Sequence, residues 1–440
     1  MNPPPRSEAE CLLEAGALYP KRVALRPIDS GDEPLIFAGF KQGAFSIYQG
    51  DAPIWHFDLE GRWQRAYLDS AHYLKRLDGS THQLLRVRQG PNLVLQRRVL
   101  DEREIRELDE QARALAAGLI AELEAGRLTR EDPPPGRAQS IPVAELQSFL
   151  EQIAAWTPAA WDRHRRKYRE TYGPLPFLPP ECQHAAVLQA TLGGPAFGRP
   201  LTLEDARTRT AAEFARHVRE VAELLGKRLL QTRIAFLAGP DVVRQPADRL
   251  LDFLELAAQA GGPPQTQGMS NCGASEAATW EAIHAFVDDF APPRPTRETW
   301  LRARERRLMR VSLGVESGSP RIRSDYGKRW DDSDLAAMVD DLKSSGIGVS
   351  LLLLAGAGGA QNADEHRRET ARLVQTLKLG KGDMVFVLDE RELQQEVPEE
   401  SAVNQDPTWI AGRDQLLEEL RPLREQGVKV APYTLEKQWS

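Results

Sequence analysis

Residues 310–318 read RVSLGVESG, and residues 348–359 read GVSLLLLAGAGG. Each stretch begins as an apolar run about six residues long and ends in glycines or small polar residues. A short apolar run bounded by glycine is typical of a buried strand, and amphipathic segments flank both runs. The pattern predicts parallel strands that alternate with helices.

The same alternation extends in both directions along the chain. Strands are predicted over 185–191, 233–238, 265–272, 310–315, 348–355 and 384–389. Helices are predicted over 210–225, 247–260, 276–290, 297–306, 332–344, 364–377 and 414–426, before a last apolar stretch at 428–433. The fold class is therefore α/β, with a partial (β/α) barrel whose functional loops follow the C-terminal ends of its strands.

The N-terminal part of the chain has a different sequence pattern. Between residues 21 and 100, short alternating runs are separated by glycine and aspartate, which predicts a β-meander, and a long helix follows it. Proline-rich stretches lie at 130–137 (REDPPPGR) and 173–180 (GPLPFLPP). We expect a β-rich domain over 1–130, a linker and helical segment over 131–174, and the barrel over 175–440.

Composition limits the classes of function. The net charge of −7 argues against non-specific nucleic-acid binding, and the basic run at 164–169 is expected to be a solvated helix face. The three cysteines, Cys11, Cys182 and Cys272, form no metal-binding spacing. Since no secretory signal or membrane-spanning run is visible, a cytoplasmic protein is expected.

The barrel resembles that of radical S-adenosylmethionine (radical SAM) proteins. Residues 310–318 resemble a fourth-strand motif of that family, xxGxESG, and residues 349–359 resemble the glycine-rich end of its fifth strand. The resemblance implies a Cys-x3-Cys-x2-Cys loop after the first strand that binds a [4Fe–4S] cluster, which in turn anchors S-adenosylmethionine. Here those three positions are occupied by Gly194, Gly198 and Leu201, none of which can bind iron.

The resemblance also implies which residues would face a ligand. They are Asp241 for a methionine amino group, Glu316 and Ser317 for a ribose or substrate, and Gly356, Gly358 and Gly359 for an adenine. Other readings stay open. Glu316 could instead accept the backbone N–H groups of residues 318 and 319 and fix a turn. The glycines could form a turn before a helix that Asn362 or Asp364 caps.

A second candidate cluster lies in the β-rich region. His56, Asp58 and Glu60 alternate on one predicted strand, so they could bind a divalent metal, although a polar outer sheet face is the favoured reading.

Three functions remain open. The first is a pseudoenzyme that has lost its cluster and radical chemistry and binds a small molecule or a protein partner. The second is an enzyme with acid–base chemistry by Glu316, Asp241 or His366. The third is an interaction protein that acts through its N-terminal domain. No bound cofactor is expected, S-adenosylmethionine would bind weakly at most, and no nucleic-acid-specific signal or membrane partner is predicted.

Overall fold

The computed structural model describes residues 21–28, 35–41, 43–89, 92–133, 138–173, 178–193, 207–239, 242–259, 280–389 and 407–433. The strand predicted over 265–272 lies outside these ranges, as do four predicted site residues: Gly194, Gly198, Leu201 and Asp241. None of the helices in the described ranges is both long and apolar enough to cross a membrane.

An antiparallel sheet forms the N-terminal part of the chain. Its first eight strands follow one another as the predicted meander. They are β1 (Lys21–Pro27), β2 (Ile36–Lys41), β3 (Ala44–Gln49), β4 (Ile54–Asp58), β5 (Trp63–Leu68), β6 (Ala71–Lys75), β7 (Thr81–Gln89) and β8 (Asn92–Val99). Two short strands, β9 (Leu128–Glu131) and β10 (Gln139–Ser140), both pair with β1.

Helices cover one face of this sheet. They are α1 (Glu102–Glu124), α2 (Val143–Ala154) and α3 (Pro158–Thr171). Alternate strand residues, Phe45 and Trp55 among them, share a core with Leu108 of α1 and Leu150 of α2. After residue 130, β10 pairs with β1 of this sheet, and four residues of α2 belong to its core: Leu146, Phe149, Leu150 and Ile153.

A parallel sheet with helices between its strands follows the N-terminal domain. Its strands are β11 (Ala186–Gln189), β14 (Ile234–Ala238), β15 (Ala282–Val287), β16 (Leu308–Glu316), β17 (Gly348–Ala355), β18 (Met384–Asp389) and β19 (Lys429–Tyr433). A separate antiparallel pair, β12 (Thr191–Leu192) and β13 (Arg207–Thr208), lies between β11 and β14 in the sequence. The helices are α4 (Ala211–Leu225), α5 (Ala247–Gln259), α6 (Arg297–Glu305), α7 (Pro320–Asp325), α8 (Asp332–Ser344), α9 (Ala363–Thr376) and α10 (Pro407–Glu419).

Strand order in the parallel sheet follows chain order. The seven strands β11, β14, β15, β16, β17, β18 and β19 lie side by side, and each pairs in parallel with the next. A sheet wound in one direction with helices between its strands curls toward a barrel. No pairing joins β11 to β19 in the described ranges, although the Tyr433 hydroxyl of β19 donates to Leu178 O, before β11, at 3.1 Å. The predicted α/β class and partial barrel are confirmed.

One predicted helix is wrong. Residues 276–290 were expected to be helical, but Ala282–Val287 form β15 in the middle of the parallel sheet. This run is buried along nearly its whole length, so it shows neither helical nor alternating periodicity. A short apolar run of that kind fits either element, and pairing between β14 and β16 decides in favour of the strand.

A buried polar contact joins the N-terminal domain to a helix of the barrel. Arg62, in the turn between β4 and β5, donates to Leu224 O at 2.8 Å and to Leu225 O at 3.1 Å, the last carbonyls of α4. A cation at a helix C-terminus pairs with its unsatisfied carbonyls and with the negative end of its dipole. The N-terminal domain therefore caps a barrel helix.

Candidate functional site

Glu316 lies at the C-terminal end of β16, where the backbone turns sharply. Its φ is 54°, and Ser317 N donates to Val315 O at 2.6 Å. A hydrogen bond between residues two apart closes a γ-turn, and a positive φ at its central residue is rare and strained. Strained residues cluster at functional sites, so the geometry singles out the same position as the sequence motif.

The Glu316 carboxylate belongs to a buried charge network. Lys328 Nζ lies 2.9 Å from Glu316 Oε1 and 2.9 Å from Asp288 Oδ2. Asp288 directly follows β15, so neighbouring strands supply the two carboxylates at the same edge of the sheet. All three side chains are at most 3% exposed. The cluster thus brings two carboxyl groups against one lysine at the C-terminal edge of the sheet.

The network keeps Lys328 protonated. Burial alone would lower the pKa of Lys328, but Glu316 and Asp288 outweigh burial and raise the pKa above its usual value. A lysine that acts as a nucleophile or base needs a lowered pKa. Lys328 is therefore a fixed cation in this network.

The structure gives the two backbone amides of the turn-fixing alternative for Glu316 other acceptors. Gly318 N donates to Thr370 Oγ1 at 2.8 Å, and Ser319 N donates to Ser317 Oγ at 3.1 Å. The carboxylate points instead toward Lys328. The Glu316 side chain thus contacts Lys328 at the C-terminal edge of the parallel sheet.

Ser317 joins the strand end to helix α9. It is fully buried, and its hydroxyl lies 2.8 Å from His366 Nδ1. Ser317 Oγ also accepts from Ser319 N at 3.1 Å, and Thr370 Oγ1 lies 3.3 Å from the same ring nitrogen of His366. Burial lowers the pKa of His366 to about 4, with the Leu354 carbonyl acting in the opposite direction, so the ring is neutral at pH 7. This pair resembles a nucleophile and its base, but both members are enclosed and serve to dock the turn.

Gly318 is the last residue of the motif, and its packing explains why glycine is needed at this position. A Cβ built at Gly318 would lie 2.3 Å from Glu369 O and 2.4 Å from Thr370 Cα. The backbone of the turn therefore rests directly on α9, and only glycine fits there. In the run Glu-Ser-Gly, the glutamate joins the charge network, the serine bonds to a histidine, and the glycine allows close packing.

The glycine-rich end of β17 forms a turn. Gly356, Gly358 and Gly359 have φ values of 91°, 81° and 77°, a region that other residues rarely adopt. A Cβ on Gly358 would lie 2.9 Å from Ile322 Cδ1, so this turn packs on α7. Asn362 stands at the start of α9 but makes no side-chain cap; it donates to Gly358 O at 2.6 Å. The structure thus agrees with the interpretation of these glycines as a turn before α9. Asn362 does not cap that helix with its side chain. Contact between the glycines and an adenine stays a prediction.

Cys182 lies at the opposite edge of the sheet. It precedes β11, whereas the family's cluster loop would follow that strand. Its Sγ is fully buried and lies 3.6 Å from His284 Nδ1, and burial raises the pKa of the thiol. A protonated, enclosed thiol is a poor iron ligand. In the described part of the chain, no group of three or more His, Cys, Asp or Glu side chains could hold a metal ion.

Of the three residues of the candidate metal cluster, His56 and Asp58 lie on β4, but Glu60 lies in the turn after it, and each has another partner. His56 Nδ1 lies 2.7 Å from Ser46 Oγ, and Asp58 is paired with Arg62 at 2.6 Å. The Glu60 carboxylate accepts from Lys227 N at 2.8 Å. These contacts agree with the polar-face reading for His56, and they place Asp58 and Glu60 in the contact between the domains.

Sequence reasoning missed Asp288 and the role of Lys328. Asp288 was hidden because the wrongly predicted helix over 276–290 included it, so it was not seen as a strand-end residue. A single lysine between a strand and a helix carries no spacing signal. An Asp-Asp pair directly after an apolar run was the available clue.

Comparisons with known proteins concern the fold. No protein-family model and no curated protein sequence matches the chain. Among solved structures, HydG, a maturase of the [FeFe]-hydrogenase, is 14% identical over 74% of this chain and 66% of its own, with a TM-score of 0.34. The cobalamin-dependent S-adenosylmethionine radical enzyme OxsB is 14% identical over 52% of this chain and 30% of its own, with a TM-score of 0.31.

A third similar structure is TsrM from Kitasatospora setae, a radical S-adenosylmethionine methyltransferase. It is 10% identical over 49% of this chain and 39% of its own, with a TM-score of 0.31. The chain spans less than two thirds of the length of each of the three. Radical SAM enzymes are thus among the structures that the chain is similar to, as the sequence predicts. No site residue is assigned from this likeness.

Proposed function

We propose that this protein is a radical SAM-like barrel without a cluster, which binds a small ligand at the C-terminal edge of its parallel sheet. One observation carries the proposal. The three positions that the motif assigns to iron ligands are Gly194, Gly198 and Leu201, while the described cysteine nearest in sequence, Cys182, is enclosed at the other edge. The donor set does not fit a [4Fe–4S] cluster.

The charge network indicates the chemistry of the ligand. Asp288 and Glu316 supply two buried carboxyl groups beside Lys328 at the strand ends where ligands of parallel α/β folds bind. A buried network of this kind is rarely the most stable way to fill a core, which favours a role beyond packing. Carboxyl oxygens accept hydrogen bonds, so they favour a ligand with an amino group or several hydroxyl groups.

S-adenosylmethionine is the natural probe, since it carries both an amino group and a ribose. Without a cluster to chelate its methionine part, only one or two hydrogen bonds and modest stacking would remain. That corresponds to roughly 4–6 kcal/mol, or high-micromolar to millimolar affinity. The bound molecule should stay intact, because no electron donor is present to cleave its sulfonium.

The acid–base alternative concerns the same edge of the sheet. Its most basic candidate, His366, is 4% exposed and bonded to Ser317, and Glu316 is fully buried, so a ligand of either kind reaches this edge only after the turn moves off α9. The alternative through Asp241 concerns a residue outside the described ranges.

Calorimetric titration tests the proposal. The full chain is titrated with S-adenosylmethionine, and the mixture is then assayed for 5′-deoxyadenosine. We expect weak binding, no 5′-deoxyadenosine, and weaker binding by Glu316→Gln by about 1–3 kcal/mol. Glu365→Gln is the matched control, because that carboxylate is already bound to Ser319 and Arg321. No binding at millimolar ligand, or equal losses in both variants, would remove this ligand site.

A further inference from the structure

The face of the N-terminal sheet opposite its helices carries an aromatic row. Strand register places Phe37, Tyr48, Ile54, Tyr67 and His72 directly opposite one another on β2 to β6. Phe37 is 47% exposed and Tyr48 is 37% exposed. Large apolar groups in one exposed row are uncommon on a soluble surface unless something binds there.

A second row runs parallel to the first, two residues along each strand. It contains Arg22 on β1, Gly39, Ser46 and His56 on the next strands, and Arg65 on β5. Lys41 stands two residues further along β2 on the same face. Arg22, Lys41 and Arg65 are exposed, and none of them forms an ion pair with another part of the described chain.

Charge is distributed unequally around the aromatic row. On its other side the turns after β3 and β5 contain exposed Asp51 and Asp69. The chain as a whole has a net charge of −7, so a one-sided basic row is a local feature. Arg65 also contributes, after burial, to lowering the pKa of His56, which agrees with positive potential along this row.

We infer that this face binds single-stranded nucleic acid, with bases stacked on Phe37, Tyr48 and Tyr67 and phosphates along Arg22, Lys41 and Arg65. Tyr67 and Arg65 are two residues apart on the same face of β5, a separation of about 7 Å that suits the distance from a base to its own phosphate. Sheets that present aromatic side chains beside basic residues recognise single strands in this way, because every base offers a flat face for stacking.

The acidic turns set the direction of binding. Phosphates are repelled from the edge with Asp51 and Asp69 and attracted to the edge with the basic row. Overall composition did not indicate nucleic acid, because residues 22, 41 and 65 are far apart in sequence and only strand pairing brings them onto one face.

Fluorescence anisotropy of a labelled oligouridylate of about 12 nucleotides tests the inference on the full chain. Binding is expected at about 50 mM salt and should weaken steeply toward 200 mM. Phe37→Ala with Tyr48→Ala should lower the affinity about tenfold or more, and Arg22→Ala with Arg65→Ala should reduce the salt dependence. The controls are Leu301→Ala, an exposed apolar residue on α6, and Arg103→Ala, an exposed arginine on α1.

Three results would overturn the inference. One is no binding at low salt by protein whose melting curve is intact. Another is equal affinity in the aromatic double variant, with inorganic polyphosphate competing as well as unlabelled oligonucleotide, since that would mean charge attraction without stacking. The third is a dimer that the aromatic substitutions convert to monomer without any effect on the oligonucleotide, which would make the face a contact between copies of this chain.

Discussion

Lys328 Nζ lies 2.9 Å from Glu316 Oε1, so the glutamate of the strand-end motif is matched by a buried cation from the segment that precedes α8. The same ammonium reaches Asp288, which joins the ends of β15 and β16 through one side chain. The motif is therefore a structural unit as well as a candidate ligand site, and the two roles separate experimentally.

Removing the cation should be costly. Lys328→Met removes the ammonium that lies between the buried carboxyl groups of Asp288 and Glu316, and we expect a loss of about 3–5 kcal/mol in the free energy of unfolding. The double variant Lys328→Met with Glu316→Gln should recover part of that loss, because one of the two buried acids is replaced by a neutral amide. Urea denaturation of wild type, single and double variants measures this coupling. Full additivity would contradict a shared network.

The pH dependence of this network has a definite sign. Because the folded pKa of Lys328 is raised above 10.5, its contribution is present below that pH and is lost as pH rises through the folded value. The free energy of unfolding of wild type should therefore fall above pH 10.5 more steeply than that of Lys328→Met. Parallel alkaline curves for the two proteins would show that the ammonium is not held as described.

His366 should make the fold sensitive to mild acid. Burial lowers its pKa from 6.5 to about 4, so the unfolded chain binds the proton more readily, and stability falls as pH drops from 6.5 toward 4. One such group corresponds to about 2 kcal/mol between pH 7 and pH 5. In His366→Asn the loss over this range should be smaller by that amount. Unchanged slopes would mean that folding does not lower the pKa of the ring from 6.5.

The close packing of Gly318 gives a steric prediction. Gly318→Ala should destabilise the fold by about 1–3 kcal/mol or more, since its Cβ meets the backbone of α9 rather than a movable side chain. Gly118→Ala is the control, because a Cβ there meets nothing within 4 Å and the site is inside a helix. The control should be neutral or stabilising by up to about 1 kcal/mol. Thermal melting distinguishes the two substitutions, and similar shifts would contradict the packing described for the turn.

Cleavage of the proline-rich stretch should not separate the domains. Residues 134–137 contain two of the three prolines of REDPPPGR and its glycine, and β9 and β10 on either side both pair with β1. We expect a protease to nick the chain there while the two fragments elute together in gel filtration. Fragments that separate without denaturant would favour the boundary expected near residue 130.

Several features of the fold were predictable because they depend on local pattern. The apolar runs at β16, β17 and β18 are short and bounded by glycine or aspartate, and the helices between them have one apolar stripe, so their identity does not depend on distant contacts. The local pattern did not identify β15, because every residue from Ile283 to Val287 is buried and the run shows neither helical nor strand periodicity. Strand pairing, which is non-local, decided that element.

The candidate site was predictable in part for the same reason. Glu316 and Ser317 were marked by their position after a strand, but their partners, Lys328 and His366, come from elsewhere in the chain. Strand pairing also places Arg22 and Arg65 in one row across the sheet, with Lys41 beside that row on the same face. Residues brought together by pairing across a sheet leave no spacing signature in a single sequence.

Iron analysis after anaerobic reconstitution tests the central claim most directly. The full chain is incubated with iron, sulfide and reductant, desalted, and then measured for iron, sulfide and visible absorbance, with Cys182→Ala treated in parallel. The account predicts no stoichiometric iron and no band near about 400 nm in either protein, because no thiolate occupies positions 194, 198 and 201. Four irons per chain with that band, whether or not Cys182→Ala abolishes it, would contradict the loss of the cluster.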